Sequence, residues 1–308
     1  MANRIDEVDL DAHAAKIRRQ DRVATGILTV IVTFVLALLA AIVAFIVFQG
    51  IGKALSPGFL TTPPAADVNP GISSELFDSF YMLVITLLIS VPISLGAAIF
   101  LVEYAPDNWV TKAASTAIET LSSLPSIVVG MFGSLFFVVT LGWGISILAG
   151  AMALTMFNIP ILVRVIQQAL EDVPRSQRDA ALAMGLTRWE TTIHVLLPVA
   201  MPAIVTGIVL SAGRVFGEAA ALIYTAGQSA PTLDFTNFDL TSPTCPWNIF
   251  RPAETLAVHI WKINSEGVVP DLEAVSNGTA AVLMVCILAF NIIARLVGKA
   301  LERRLTRE

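Results

Sequence analysis

The chain has 308 residues, of which 56% are hydrophobic and 14% charged, with a mean hydropathy of +0.76. That balance excludes an ordinary soluble domain. The net charge of −5 points to no partner by itself, and two cysteines, Cys245 in a loop and Cys286 in an apolar run, suggest neither a disulfide framework nor a metal-ligand spacing.

Residues 1–23 form a polar head carrying Lys16, Arg18, Arg19 and Arg22. The apolar run that follows, 24–48, is too long for the core of a secretory signal and lacks a small-residue cleavage site, so it predicts a retained first transmembrane helix. Residues 49–79 are rich in Pro, Ser, Thr, Asp and Asn, as a connecting loop requires. Further apolar runs at 80–102, 117–141, 145–163, 201–224 and 279–297 bring the predicted spans to six, each near the roughly 20 residues that cross a bilayer. None alternates as a barrel strand must, so the chain is expected to be an all-α membrane protein, a bundle of six transmembrane helices.

Within the third run, Glu119 suits a snorkelling carboxylate or one at a helix N-terminus. Pro125 frees a backbone carbonyl and bends the helix, with Gly130 shortly after it. Together they either line a path or shape the packing. In the fourth run Asn158 and Pro160 pair a polar side chain with a kink, again as interhelical glue or as path lining.

Residues 167–200 are too polar to enter the membrane and too ordered for a linker. The spacing predicts a helix through Ala180 and Ala181, a turn permitted by Gly185, and a second helix ending at Leu197-Pro198. A small Ala-Ala face beside a glycine turn makes a docking knob. Arg164, Arg175, Arg178 and Arg188 lie on this side, as do Arg295, Lys299, Arg303, Arg304 and Arg307, against Lys53, Arg251 and Lys262 on the other. The bias predicts that both termini are cytoplasmic.

The fifth run contains Arg214 and Glu218, four residues apart and so on one helical face, with Ser211 and Thr225 extending the stripe. A charge at bilayer depth costs roughly 2.5–3.5 kcal/mol on insertion scales. The two charges therefore form either a structural ion pair or a functional pair, in which the guanidinium fork of Arg214 meets an anionic substrate and Glu218 orients it. Residues 226–278 form a second long external loop; within it, 248–261 predicts an interfacial or re-entrant helix, or a capped helix packed on the bundle. Residues 300–308 close the chain as a polar tail. His13, His194 and His259 are far apart and predict no metal site or proton relay, and no phosphate-cradling Gly-rich loop is present.

The pattern Asp179-Ala180-Ala181, three residues, Gly185, nine residues, Val195-Leu196-Leu197-Pro198 resembles the coupling motif of the membrane subunits of ABC importers. That motif reads Glu-Ala-Ala, three residues, Gly, nine residues, Ile-x-Leu-Pro; Asp179 and Val195 depart from it conservatively. Residues 71–106, "SLPSIVVGMFG" at 123–133, "GRVFGEAAALIYTAG" at 213–227 and "NIFRPAETLAVHIW" at 248–261 are similar to the A-type permeases of phosphate-specific ABC importers. Ala219-Ala220-Ala221 stands where that family often has Thr-Ala-Pro.

The resemblance implies a type I importer permease bundle, with a core permease domain at 80–299 and no catalysis by this chain. It places Arg214 and Glu218 in the substrate path, to which Ser211 is added by its place on the same helical stripe. Asp179, Ala180, Ala181, Gly185, Leu197 and Pro198 become the contact with the ATPase, and Pro125 and Gly130 match a family signature; Asn158 and Pro160 stay kink or path-lining positions by their chemistry alone. The implied partners are a homologous sister permease, two ATP-binding subunits and an external phosphate-binding protein, in the bilayer of a bacterial inner membrane; nucleic acid is not among them. No cofactor is implied for this chain, since ATP is used by the partner subunits. A permease for another oxyanion, such as phosphonate, sulfate or molybdate, is the alternative within the class. An ion-coupled transporter is the alternative outside it, although no matching pair of interrupted helices points that way.

Overall fold

The computed structural model describes residues 2–63, 71–229, 231–266 and 271–305. Parts of both predicted external loops (64–70, 230, 267–270) and the end of the predicted tail (306–308) lie outside the described residues. The described chain is helical, with no strand among the described residues. Its elements are α1 (Ala2–Ala54), α2 (Ser73–Ile99), α3 (Trp109–Ser122), α4 (Ser126–Gly133), α5 (Ile147–Glu171) and α6 (Arg175–Ala183). They continue with α7 (Arg188–Thr191), α8 (Leu197–Phe216), α9 (Ala220–Thr225), α10 (Leu256–Glu266) and α11 (Leu272–Leu305).

Five stretches are long and apolar enough to cross a membrane: Lys16–Ala54, Ser73–Tyr104, Ile147–Glu171, Arg188–Phe216 and Leu272–Ile293. The predicted third span, 117–141, is instead two helices, α3 and α4, meeting at 101°. Pro125 does more than bend a helix here. Its missing N–H and its disfavouring of helix at Leu124 end α3, and its extended backbone (ψ 133°) stands at the N-cap of α4.

The predicted fifth span also differs at both ends. It begins at Arg188 rather than 201 and stops at Phe216. The turn Thr192–Leu196 is widened to i→i+5 bonding, Leu197 donating to the Thr192 carbonyl, and the wide turn makes room for the Pro198 ring. The 248–261 segment is helical only from Leu256, because Pro252 lies inside its first half.

α5 is the central post, packed against α2, α3, α4, α8 and α9, while α1 packs chiefly on α11. The apolar core is in two parts. One, near the end bearing residues 226–278, contains Met82, Ile147, Leu154, Phe216, Leu222 and Leu256. The other, near the α6–α7 end, contains Ile99, Leu162, Ile166, Leu170, Leu196 and Ile204.

Between the two parts lies a buried polar layer of Thr86, Ser90 and Ser94 from α2, Thr155 and Asn158 from α5, and Ser211 from α8. The 226–255 segment closes one end of the bundle. Its carbonyls at Arg251 and Ile249 accept from the N–H groups of Ile147 (2.9 Å) and Leu148 (2.8 Å), and Ser146 Oγ accepts from Ala149 (3.2 Å). The first turn of α5 is thereby capped by protein.

Candidate functional site

Asn158 is the hub of the polar layer. Its Nδ2 donates to Ser90 Oγ at 3.0 Å, and its Oδ1 accepts from Ser211 Oγ, so one amide joins α2, α5 and α8. Pro160, buried just after it, removes an N–H from the α5 ladder, and Ser94 Oγ donates to the Ile159 carbonyl at 3.4 Å. Ser211 thus faces the interior, towards Asn158.

Arg214, three residues further along α8, faces outward. Its side chain is exposed on the isolated chain, and its guanidinium carbon lies 4.1 Å from the ring centre of Phe157, in the middle of α5. Glu218 does not share its helical face, because α8 ends at Phe216 and Gly217 breaks the periodicity. The Glu218 carboxylate instead accepts from the Ala221 N–H at 3.3 Å, at the start of α9. Among the described residues the ion pairs include neither Arg214 nor Glu218. What the geometry leaves is an outward cation on an aromatic platform at mid-bundle, with no carboxylate paired to it among the described residues.

Gly130 sets how closely α4 approaches this region. A Cβ there would lie 2.5 Å from Ala221 Cα and 2.9 Å from the Ala221 carbonyl oxygen, so α4 and α9 touch through backbone.

At the opposite end, α6 and α7 form a rigid elbow. Gly185 has φ +88°; its N–H donates to the Leu182 carbonyl, and the Leu186 N–H donates to Ala181. This is a Schellman stop. Thr187 then opens α7 with a capping box, its Oγ1 accepting from the Glu190 N–H while the Glu190 carboxylate accepts from its own.

The elbow is anchored through Ala181, which is buried, and through Arg178, paired with Glu103 in the wide helical turn Phe100–Tyr104 that follows α2. Asp179 and Ala180 are exposed, as are Met184 at 83% and Trp189 at 57%; Leu197 and Pro198 are half-buried where the elbow joins α8. Apolar side chains so exposed at a helix turn suit a docking surface.

The closed end also holds a cluster of buried charges whose pairing the sequence does not predict. Arg251 is 1% exposed and spans Asp78 with two bonds, 2.5 and 3.2 Å long, while also donating to the Pro252 and Pro246 carbonyls. Beside it, Glu75, Glu254 and His259 are buried together. Hydropathy began the second span at 80 and left Glu75 and Asp78 in a loop. The usable signal was two acids three apart directly before an apolar run, with their basic partner in the RPAE stretch. In the outer part of the same segment, side-chain donation from Thr236 holds Asp234 below the usual carboxylate range, and the Thr241 N–H does the same for Asp239.

A central helix, a broken span and a capped elbow make this a helical protein of several membrane-spanning segments. Residues 90–307 match the family model described as "Binding-protein-dependent transport system inner membrane component". The chain belongs to that family and is a multi-pass ABC transporter permease subunit.

It is 49% identical over 287 residues to the probable ABC transporter permease protein YqgI of Bacillus subtilis, covering 93% of this chain and 97% of that one. It is 30% identical over 287 residues to the phosphate transport system permease protein PstA of Yersinia pestis, covering 91% and 90%. Solved structures share the fold. A chain of a bacterial alginate ABC transporter aligns with TM-score 0.61 at 12% identity, covering 93% of this chain and 97% of its own. A chain of the MetNI methionine ABC transporter in an inward-facing conformation aligns with TM-score 0.55 at 19% identity, covering 75% and 94%.

Proposed function

We propose that this chain is a transmembrane subunit of an ATP-driven importer that moves inorganic phosphate into the cell by alternating access. The observation that carries the proposal is the exposed guanidinium of Arg214 beside Phe157, without a carboxylate partner among the described residues. A cation held at membrane depth is costly unless a second chain or a passing anion meets it. A planar fork of donors fits phosphate oxygens. The 30% identity over most of its length to a phosphate transport permease supports the same cargo.

A homologous sister permease completes the path on the Arg214 side. Two ATP-binding subunits dock on the elbow around Asp179, Ala180, Met184 and Trp189 and hold all the nucleotide, while an external phosphate-binding protein delivers substrate to the closed end. Both termini are then cytoplasmic, and this chain couples but does not catalyse.

The test is phosphate uptake and ATP hydrolysis by the reconstituted complex carrying Arg214→Gln, with assembly followed by co-purification. Loss of uptake in an assembled, hydrolysing complex is the expected result; unchanged uptake sinks the role given to Arg214. Excess sulfate should leave wild-type uptake intact, and equal competition by sulfate would widen the cargo to oxyanions in general.

A further inference from the structure

Glu75, in the first turn of α2, is 0% exposed, and neither of its carboxylate oxygens accepts a hydrogen bond from the protein. A buried carboxylate in that condition either carries a proton itself or has its charge compensated by another group. The groups around it are few. His259 on α10 places Nδ1 3.7 Å from Glu75 Oε1 and 2.7 Å from Glu254 Oε1. One ligand-capable atom from each of Glu75, Glu254 and His259 lies within 4.8 Å of the other two, and all three residues are buried.

The neighbouring cations are otherwise engaged. Both terminal nitrogens of Arg251 are taken up by Asp78 and two carbonyls, and only its buried Nε is left without a partner among the described residues. Lys262 reaches only the far oxygen of Glu254, at 3.1 Å, with its side chain 27% exposed at the rim.

We propose that Glu75, Glu254 and His259 bind a divalent transition-metal ion of the zinc class. Two carboxylates and a neutral imidazole are a donor set that suits zinc, with a fourth position for water. The charge closes as well. Two carboxylates, one dication and a neutral histidine sum to zero, the Arg251–Asp78 pair is neutral by itself, and Lys262 at the rim is free to turn to solvent.

The three ligands come from three places: the start of α2, the non-helical segment before α10, and α10 itself. Metal there would pin the closing segment to the bundle without entering the substrate path at Arg214. Because Glu75 and His259 lie far apart in sequence, no motif announces the site.

The experiment is equilibrium dialysis of the chelator-stripped, detergent-solubilised full chain against zinc chloride, for wild type, Glu75→Gln and His259→Gln. Melting with and without zinc is followed in parallel. Wild type should bind one zinc per chain and melt higher with it. Each variant should lose at least about tenfold in affinity, the scale of loss seen even for outer-shell partners of a metal.

Glu75→Gln removes the uncompensated charge and should melt no lower than metal-free wild type, which separates lost binding from lost folding. Two outcomes overturn the proposal: wild type that takes up no stoichiometric zinc, as expected if a proton on His259 alone bridges the two carboxylates, and zinc binding that survives in both variants.

Discussion

Arg251 and Asp78 meet as a two-point ion pair with both side chains 0% exposed, linking the closing segment to the second turn of α2. Breaking such a pair from one side strands a buried charge, whereas replacing both partners by apolar groups is often neutral. Asp78→Asn should therefore cost about 3–5 kcal/mol. The double variant Asp78→Leu with Arg251→Met should recover most of it. Thermal unfolding of the solubilised chain measures both, and a double variant as unstable as the single one would mean that the pair contributes specific geometry that packing cannot replace.

Asn158 ties three helices through two side-chain bonds. Interhelical hydrogen bonds in membranes are modest, about 0.6 kcal/mol on average, so Asn158→Leu should cost roughly 1–2 kcal/mol. Unfolding by a detergent titration checks the figure. A much larger loss would mark the amide as the organiser of the whole polar layer.

Gly130→Val puts side-chain atoms where α4 meets the backbone of α9. Neither backbone can yield cheaply, and overpacking of this kind costs typically about 1–3 kcal/mol. Uptake by the reconstituted complex should fall while co-purification of the ATP-binding subunits persists, since the elbow lies at the other end.

Gly185 tests the elbow alone. A Cβ there meets nothing within 4 Å, but φ is +88°. A substitution is penalised only through the backbone, by roughly 1–2 kcal/mol for an ordinary residue and less for Asn. Gly185→Val should weaken capture of the ATP-binding subunits in a pull-down, and Gly185→Asn should retain most of it. Equal loss in both would indicate that the glycine is needed for close approach of the partner instead.

The membrane class and the helix–turn–helix at 175–191 were legible in the chain because hydropathy and local caps decide them. Pro125 was visible, but a kink and a break look alike in sequence; only the neighbours α5 and α9 hold the two halves at 101°. The shared face expected for Arg214 and Glu218 failed because Gly217 ends α8 between them. In the sequence Glu75 and Asp78 fall in a predicted loop and Arg251 and Glu254 in a predicted interfacial or packed helix; hydropathy scores each charge alone and is blind to a partner supplied from far along the chain.

The capping of α5 has a further effect on any anion nearing the closed end. The exposed amides of a helix start form a natural well for phosphate. Here the N–H groups of Ile147, Leu148 and Ala149 are already spoken for by Arg251, Ile249 and Ser146. If the cargo is the phosphate proposed above, an oxyanion at this end would find the first amides of α5 already taken, and the electrostatic pull would fall to side chains instead.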